Sequence, residues 1–234
     1  DSVIDVIPGG TLQNILRLNQ KDIDVGLVTI STLTKAYKGM TPPKEFEEPM
    51  ENLRGINIFW NQFYHFIVPK NFKATTVDQV FENKMPIRIC PGGPRGHMGV
   101  MATEEMLKSV WGITFDDIED WGGQIIYTEF SDAVQMMKDG QLDVFSPLTA
   151  APNATIMELT TLSNVRLLPM GEKSVKKMSE NGYPRIMIPE GIYKGVDKEL
   201  LSIAAPYGAA TRSDVPDDVI YKLTKVLCEN DEYM

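Results

Sequence analysis

Two tripeptides, Pro8-Gly9-Gly10 and Pro91-Gly92-Gly93, stand where backbone chemistry is possible. Each follows an apolar run, Val3-Ile4-Asp5-Val6-Ile7 in the first and Ile87-Arg88-Ile89-Cys90 in the second, and each precedes residues at helical spacing. A strand that turns sharply into a helix leaves the first helical N–H groups without internal partners. The helix dipole adds partial positive charge there, so such a start suits an anion. Glycine lacks the Cβ that would hold a ligand away from the backbone. Ligands of open α/β sheets collect at the carboxyl ends of strands. Two such turns, with Gly9, Gly10, Gly93, Pro94 and Gly96 as the approachable backbone, would clasp one small anion between two halves; each alone is equally readable as a plain turn.

The side chains around these turns carry two readings apiece. Thr11 caps the first helix or reaches a ligand carboxylate, and Asn14, one turn on, faces a cleft or the exposed side. Arg95 offers a fork of donors to a carboxylate or is a solvated surface cation. His97 donates to the same anion or belongs to the cap of the following helix. Thr29 and Ser31 follow the apolar run 24–28, as Ser146 and Thr149 follow 143–145. Hydroxyls there line a cleft or cap helices. Trp60 and Tyr64 wall a pocket or pack in the core. His65, within Phe63-Tyr64-His65-Phe66, reads as a strand residue near a lobe junction.

No catalytic motif competes with this. Gly-x-Ser-x-Gly, a P-loop and His-Glu-x-x-His are all missing, and the acidic run Asp116-Asp117-Ile118-Glu119-Asp120 lacks the alternating ligands of a calcium loop. Cys90 and His97 flank the same turn, but Cys90 reads better as an apolar filler. No enzymatic activity, cofactor or metal is therefore expected. The chain has 234 residues, 43% of them apolar, and a net charge of −9. That length suits one large domain or two lobes of roughly 100 residues. The acid excess argues against a nucleic-acid partner, and no run of 18 apolar residues exists to span a membrane.

The elements that must position the turns alternate in the α/β manner. Strands are expected at 2–7, 24–28, 56–60, 64–68 and 86–90. Helices are expected at 11–20, 30–38, 77–83, 97–110, 131–138, 152–161, 172–181 and 216–229. Residues 40–52 read as a surface loop and 112–130 as an insertion. Met98, Met101, Met106 and Leu107 are available for the inner face of the 97–110 helix. Val219, Ile220, Leu223, Val226 and Leu227 draw an amphipathic stripe on the last one.

These residues together resemble a known family. Ile7-Pro8-Gly9-Gly10-Thr11-Leu12-Gln13-Asn14 followed by Asp24-Val25-Gly26 looks like the Gly-Gly-Ser/Thr-x-x-Asn helix start and next strand of TAXI-type receptors, the TRAP-associated extracytoplasmic solute-binding proteins. Gly140-Gln141-Leu142-Asp143-Val144-Phe145, Ile188-Pro189-Glu190-Gly191-Ile192-Tyr193 and Asp217–Lys225 are similar to further elements of that family, in the same order. Gly93-Pro94-Arg95-Gly96-His97 replaces its Gly-Ser-Gly-Thr turn, exchanging a hydroxyl donor for a cation. The resemblance implies a two-lobed type II periplasmic-binding-protein-like α/β fold with a central sheet in each lobe, lobe I from 1–70 plus 191–234 and lobe II from 71–190. It implies capture of a small anionic solute, a carboxylate or glutamate-like amino acid, and its delivery to membrane-embedded TRAP permease subunits. It implies a periplasmic or other extracytoplasmic location after signal-peptide removal, with a lipid anchor on the full-length protein as one option. An enzyme or a regulatory ligand-sensing module reusing this fold is the alternative. The family's opening strand is expected ahead of Asp1, so the chain reads as cut at both ends.

Overall fold

In the computed structural model, residues 5–7, 9–40 and 44–229 are described. The chain divides into two compact units, Asp1–Trp60 with Pro206–Met234, and Asn61–Ala205. The expected boundaries were 70/71 and 190/191. The difference has a physical origin. The chain passes between units inside two long strands, β2 (Leu53–Tyr64) and β10 (Leu200–Arg212), where no loop composition marks the passage.

In the first unit, α1 (Thr11–Gln20) leads to β1 (Val25–Thr29) and α2 (Ile30–Lys38). α1 stops where Lys21 turns left-handed at φ 67°, and α2 where Gly39 does so at φ 66°. β1 pairs antiparallel with β10, from Val25 opposite Thr211 to Thr29 opposite Tyr207. Ile15 and Leu18 of α1, Val28 of β1, Leu33 and Ala36 of α2, Leu53 and Ala210 make one apolar cluster with Phe46 and Met50. The loop expected over 40–52 is thus pinned by two buried anchors; Phe46 is fully enclosed. Truncating it to alanine would cost about 3–5 kcal/mol. Arg212, 7% exposed, donates to the Ile23 carbonyl and to Asp24 and Asp214, fastening the end of β10 to the turn before β1.

The opening strand expected at 2–7 lies partly outside the described residues; Asp5–Ile7, which are described, form no strand. At the other end α9 (Asp217–Glu229) forms as its spacing predicts, yet none of its residues is buried, and Val219 is 45% exposed. The amphipathic pattern specifies a helix and a stripe, but not what covers the stripe.

The second unit is built on a five-stranded sheet in the order β5 (Gln124–Ile125), β4 (Arg88–Cys90), β6 (Val144–Phe145), β3 (Ile67–Pro69), β8 (Val165–Leu167). β4 runs parallel to β5 and β6, while β3 is antiparallel to β6 and β8. Its two faces bury different clusters, because successive side chains in a strand point opposite ways. Phe66, Val68, Ile89 and Val144 join one cluster. Ile67, Cys90 and Phe145 join the other. The helices are α3 (Val77–Glu82), α4 (Met98–Met106), α5 (Phe115–Asp120), α6 (Phe130–Lys138), α7 (Ala154–Leu162) and α8 (Glu172–Glu180). The short strands β7 (Leu148–Thr149) and β9 (Arg185–Ile188) pair with the ends of β2 and β10 inside this unit.

Three local expectations change here. The runs 56–60 and 64–68 fall on two strands with other bounds: β2 starts at Leu53 and continues through the polar pair Asn61-Gln62 to Tyr64, and β3 begins at Ile67. The helix expected over 97–110 ends at Met106 and continues as a π turn, Leu107–Trp111, closed by Gly112 at φ 70°. Met106 and Leu107 are fully buried as expected, but Met101 is 45% exposed. The segment 112–130, read as an insertion, contributes α5 and β5 to the unit's own sheet and core.

Candidate functional site

Both glycine-rich turns do feed helices, and they do it differently. At the first, Gly10 is the N-cap of α1, extended at φ −89° and ψ 168°, and no side chain caps the helix. Among the described residues nothing lies within 4 Å of where a Gly10 Cβ would sit. The neighbouring Gly9 has no such room, because a Cβ there would collide with Asn14 Oδ1. Pro8 lies outside the described residues.

The polar residues proposed around this turn are committed to β1. Asn14, 8% exposed, donates its Nδ2 to the Leu27 carbonyl at 2.8 Å. Thr11 Oγ1 accepts from the Thr29 N–H at 3.3 Å. β1 ends the sheet order, so Thr11 and Asn14 occupy polar groups along an edge strand. Thr29 and Ser31 are buried, and the Thr29 hydroxyl shares a 2.8 Å hydrogen bond with Thr32.

The second turn is closed by its own residues. Gly92, Gly93 and Gly96 adopt φ of 99°, 133° and 83°, the left-handed side that glycine alone enters freely. A Cβ on Gly92 would stand 2.8 Å from the Ser146 carbonyl oxygen, and one on Gly93 2.8 Å from the His97 ring. Glycine at 92 and 93 therefore serves close packing inside the turn. His97 takes the capping option: its Nδ1 accepts from the Gly99 N–H at 3.2 Å at the start of α4. Its ring meets Phe130 edge-on, with centroids 5.6 Å apart. Burial lowers the His97 pKa, against the opposing pull of the Gly92 carbonyl and Glu129.

Arg95, like Gly96 beside it, is exposed in this turn. Its guanidinium carbon lies 4.0 Å from the centroid of the Tyr127 ring, a cation–π stack. Tyr127 is half-buried, meets Phe115 edge-on at 6.3 Å and packs against the larger core cluster. Glu104, on the exposed side of α4, is electrostatically coupled to Arg95; its carboxyl pKa is raised by partial burial and pulled back by that cation. The aromatic ring therefore supports the cation, whose N–H groups suit a planar anion.

Tyr64 and Ser146 lie in the core instead. Tyr64 is 2% exposed, its hydroxyl is 3.1 Å from Thr103 Oγ1, and burial pushes its pKa up to about 12. Ser146 is fully buried, with its hydroxyl directed to the Cys90 carbonyl at 3.4 Å. Trp60 belongs to the first unit, 43% exposed and stacked on Tyr207 at 5.0 Å. His65 is fully buried: Nε2 lies 3.0 Å from the Tyr193 hydroxyl, which also accepts from the Asn153 N–H, and burial lowers the His65 pKa to about 4. Cys90 is fully buried in one of the two apolar clusters of this unit, and His97 Nδ1 is engaged by the Gly99 N–H. Among the described residues no group of three His, Cys, Asp or Glu could hold a metal ion.

The second turn thus brings Pro94, Arg95, Gly96 and His97 together, with Tyr127 and Glu104 beside them. Neither of the last two was anticipated. Tyr127 comes from the 112–130 segment, and nothing in its local spacing points to Arg95.

Residues 3–234 match the NMT1-like family. The chain belongs to that family. Among solved structures it is similar to the periplasmic aliphatic sulphonate binding protein SsuA from Escherichia coli, at 13% identity over 95% of this chain and 60% of that one, with a TM-score of 0.48. It is similar to the arginine-, lysine-, histidine-binding protein ArtJ from Geobacillus stearothermophilus, at 10% identity over 96% and 72%, TM-score 0.46. It is similar to a TctC solute binding protein from Polaromonas, at 14% identity over 89% and 64%, TM-score 0.42. At these scores the likenesses are partial, and the fold of this NMT1-like chain rests on its own strands and helices. Among its described residues no helix is long and apolar enough to cross a membrane.

Proposed function

We propose that this NMT1-like chain is an extracytoplasmic solute receptor that captures a small carboxylate or amino acid, glutamate-like in size, and delivers it to a TRAP-type permease as TAXI receptors do. The observation that carries the reading is Arg95, exposed in a glycine-rich turn at the carboxyl end of β4 with its guanidinium carbon 4.0 Å over the Tyr127 ring. A guanidinium so held gives a carboxylate two parallel, charge-assisted hydrogen bonds at reduced entropic cost. Nothing covalent happens: binding and release are the whole function.

Calorimetric titration with L-glutamate, 2-oxoglutarate, a diamine and an apolar amide tests this. The acids should bind, and Arg95→Gln should weaken them by about tenfold or more, the loss of a charge-assisted pair. Binding of the diamine or the amide with no binding of the acids would end the anion reading.

A further inference from the structure

A second charged feature shares no residue with the Arg95 turn. Past Met106 the π turn Leu107–Trp111 packs against α8, and an open pocket of about 220 Å³ lies there, lined by Ser109, Val110, Lys173, Lys176, Lys177 and Glu180. A π turn takes up one extra residue and widens the helix locally, and Ser109 and Val110 of this turn are half-buried. Three ammonium groups against one carboxylate make the pocket positive on a chain whose net charge is −9. We propose that this pocket is a separate site of the second unit and binds a tetrahedral oxyanion, the class that includes inorganic phosphate and the phosphoester of a lipid headgroup.

The donors are free or weakly engaged. Among the described residues Lys176 makes no ion pair. Lys173 meets Glu82 at 3.2 Å and Lys177 meets Glu180 at 2.9 Å, with all four side chains about half exposed. Ion pairs so exposed contribute little and are screened by salt, so an oxyanion replaces these carboxylates at small cost. The Ser109 hydroxyl donates to Met178 Sδ at 3.6 Å, and a thioether is a weak acceptor. Turning that hydroxyl to an anionic oxygen exchanges a weak bond for a charge-assisted one. Glu180 is the opposing group. It lines the pocket, and Lys177 first, with Lys176 behind it, holds its carboxyl below the usual range, so a guest competes with Glu180 for the same cations. Lysines on flexible stems act as point charges without the fixed fork of arginine. The expected affinity is therefore about millimolar and falls with salt.

The test is an NMR-monitored titration of the isotopically labelled 234-residue chain with inorganic phosphate at constant ionic strength, with sodium chloride as the control. Phosphate should give saturable shifts of the Ser109, Val110 and Lys176 amides, and chloride none. Lys176→Gln, which breaks no ion pair, should weaken phosphate about threefold or more. Glu180→Gln should tighten it about twofold or more by releasing Lys177, while Glu190→Gln, an exposed carboxylate that does not line the pocket, should leave it unchanged. Arg95→Gln should leave it unchanged as well, which keeps this site distinct from the receptor reading. No saturable shift at these amides, the same response to chloride, wild-type binding by Lys176→Gln, equal gains in the two glutamate variants, or loss of binding in Arg95→Gln would each overturn the proposal. Co-sedimentation with phosphatidylglycerol vesicles separates the two sources of the anion. Vesicle binding that inorganic phosphate competes away assigns the pocket to a phosphoester headgroup; phosphate binding without vesicle binding assigns it to the free anion.

Discussion

The two glycine-rich helix starts read alike in sequence and are built for opposite tasks. At Gly10 the helix is uncapped, the backbone is extended, and there is empty space where a side chain would go. At Gly92–Gly93 the backbone is left-handed, the space is filled by Ser146 and His97, and the helix is capped from within. The first turn offers bare N–H groups. The second gives its Gly99 N–H to the His97 ring and offers a cation, Arg95, on an aromatic support. A shared Pro-Gly-Gly therefore does not imply a shared use of glycine: one leaves room for a guest, the other removes it.

The largest effect that sharpens this contrast is on folding. Gly92→Ala forces an L-residue to φ 99° with its Cβ 2.8 Å from a carbonyl oxygen, and should cost about 3 kcal/mol. Gly10→Ala, in open space at ordinary φ, should cost only about 0.5–1 kcal/mol, the difference between glycine and alanine at an N-cap. Urea midpoints of the two variants check the pair; equal losses would erase the distinction.

Acid comes next. The His65 backbone N–H donates to the Pro147 carbonyl at 2.9 Å, and Pro147 lies against Gly92, while the buried His65 imidazole sits 3.0 Å from the Tyr193 hydroxyl. Its folded pKa of about 4 lies below the ordinary 6.5, so the unfolded chain takes up the proton first. Stability is thus full above pH 6.5 and is lost as pH falls toward 4, by about 2 kcal/mol at pH 5. The lowered pKa of His97 acts in the same direction. Urea melts at pH 7 and pH 5 should show this loss in the wild type and much less of it in His65→Gln; the same pH dependence in both would refute it.

Smaller effects follow at the caps. His97→Ala should cost about 1 kcal/mol, and His97→Asn, a good cap, should recover most of it. Gly10→Ser, which adds a cap at the uncapped helix, should gain a few tenths of a kcal/mol and weaken any solute held by the same N–H groups. Thermal melts with parallel titrations read both changes.

Much of this was legible in the sequence where periodicity carries the information. α1, α2, α6, α7 and α8 fall within two residues of their expected ranges, because capping and apolar spacing are local. β2 was expected too short because Asn61-Gln62 interrupts its apolar pattern while its strand runs on to Tyr64. The passages between units were displaced because they lie inside strands. Around the candidate site, residue type told what Thr11, Asn14, Tyr64, Ser146 and His97 can bond, but not with whom. The structure assigns their bonds to β1, Thr103, the Cys90 carbonyl and Gly99. Tyr127 was invisible because its partner Arg95 is brought to it only by tertiary structure.

The central claim is that the Arg95 turn receives the carboxylate of a small solute. Adding L-glutamate to the isotopically labelled chain and following the Arg95 side-chain Nε–H with the Arg95, Gly96 and His97 amides tests it most directly. Saturable shifts at these four signals, abolished by Arg95→Gln in a variant with an unchanged urea midpoint, are the predicted result. Saturable shifts elsewhere in the chain that leave these signals still would contradict it.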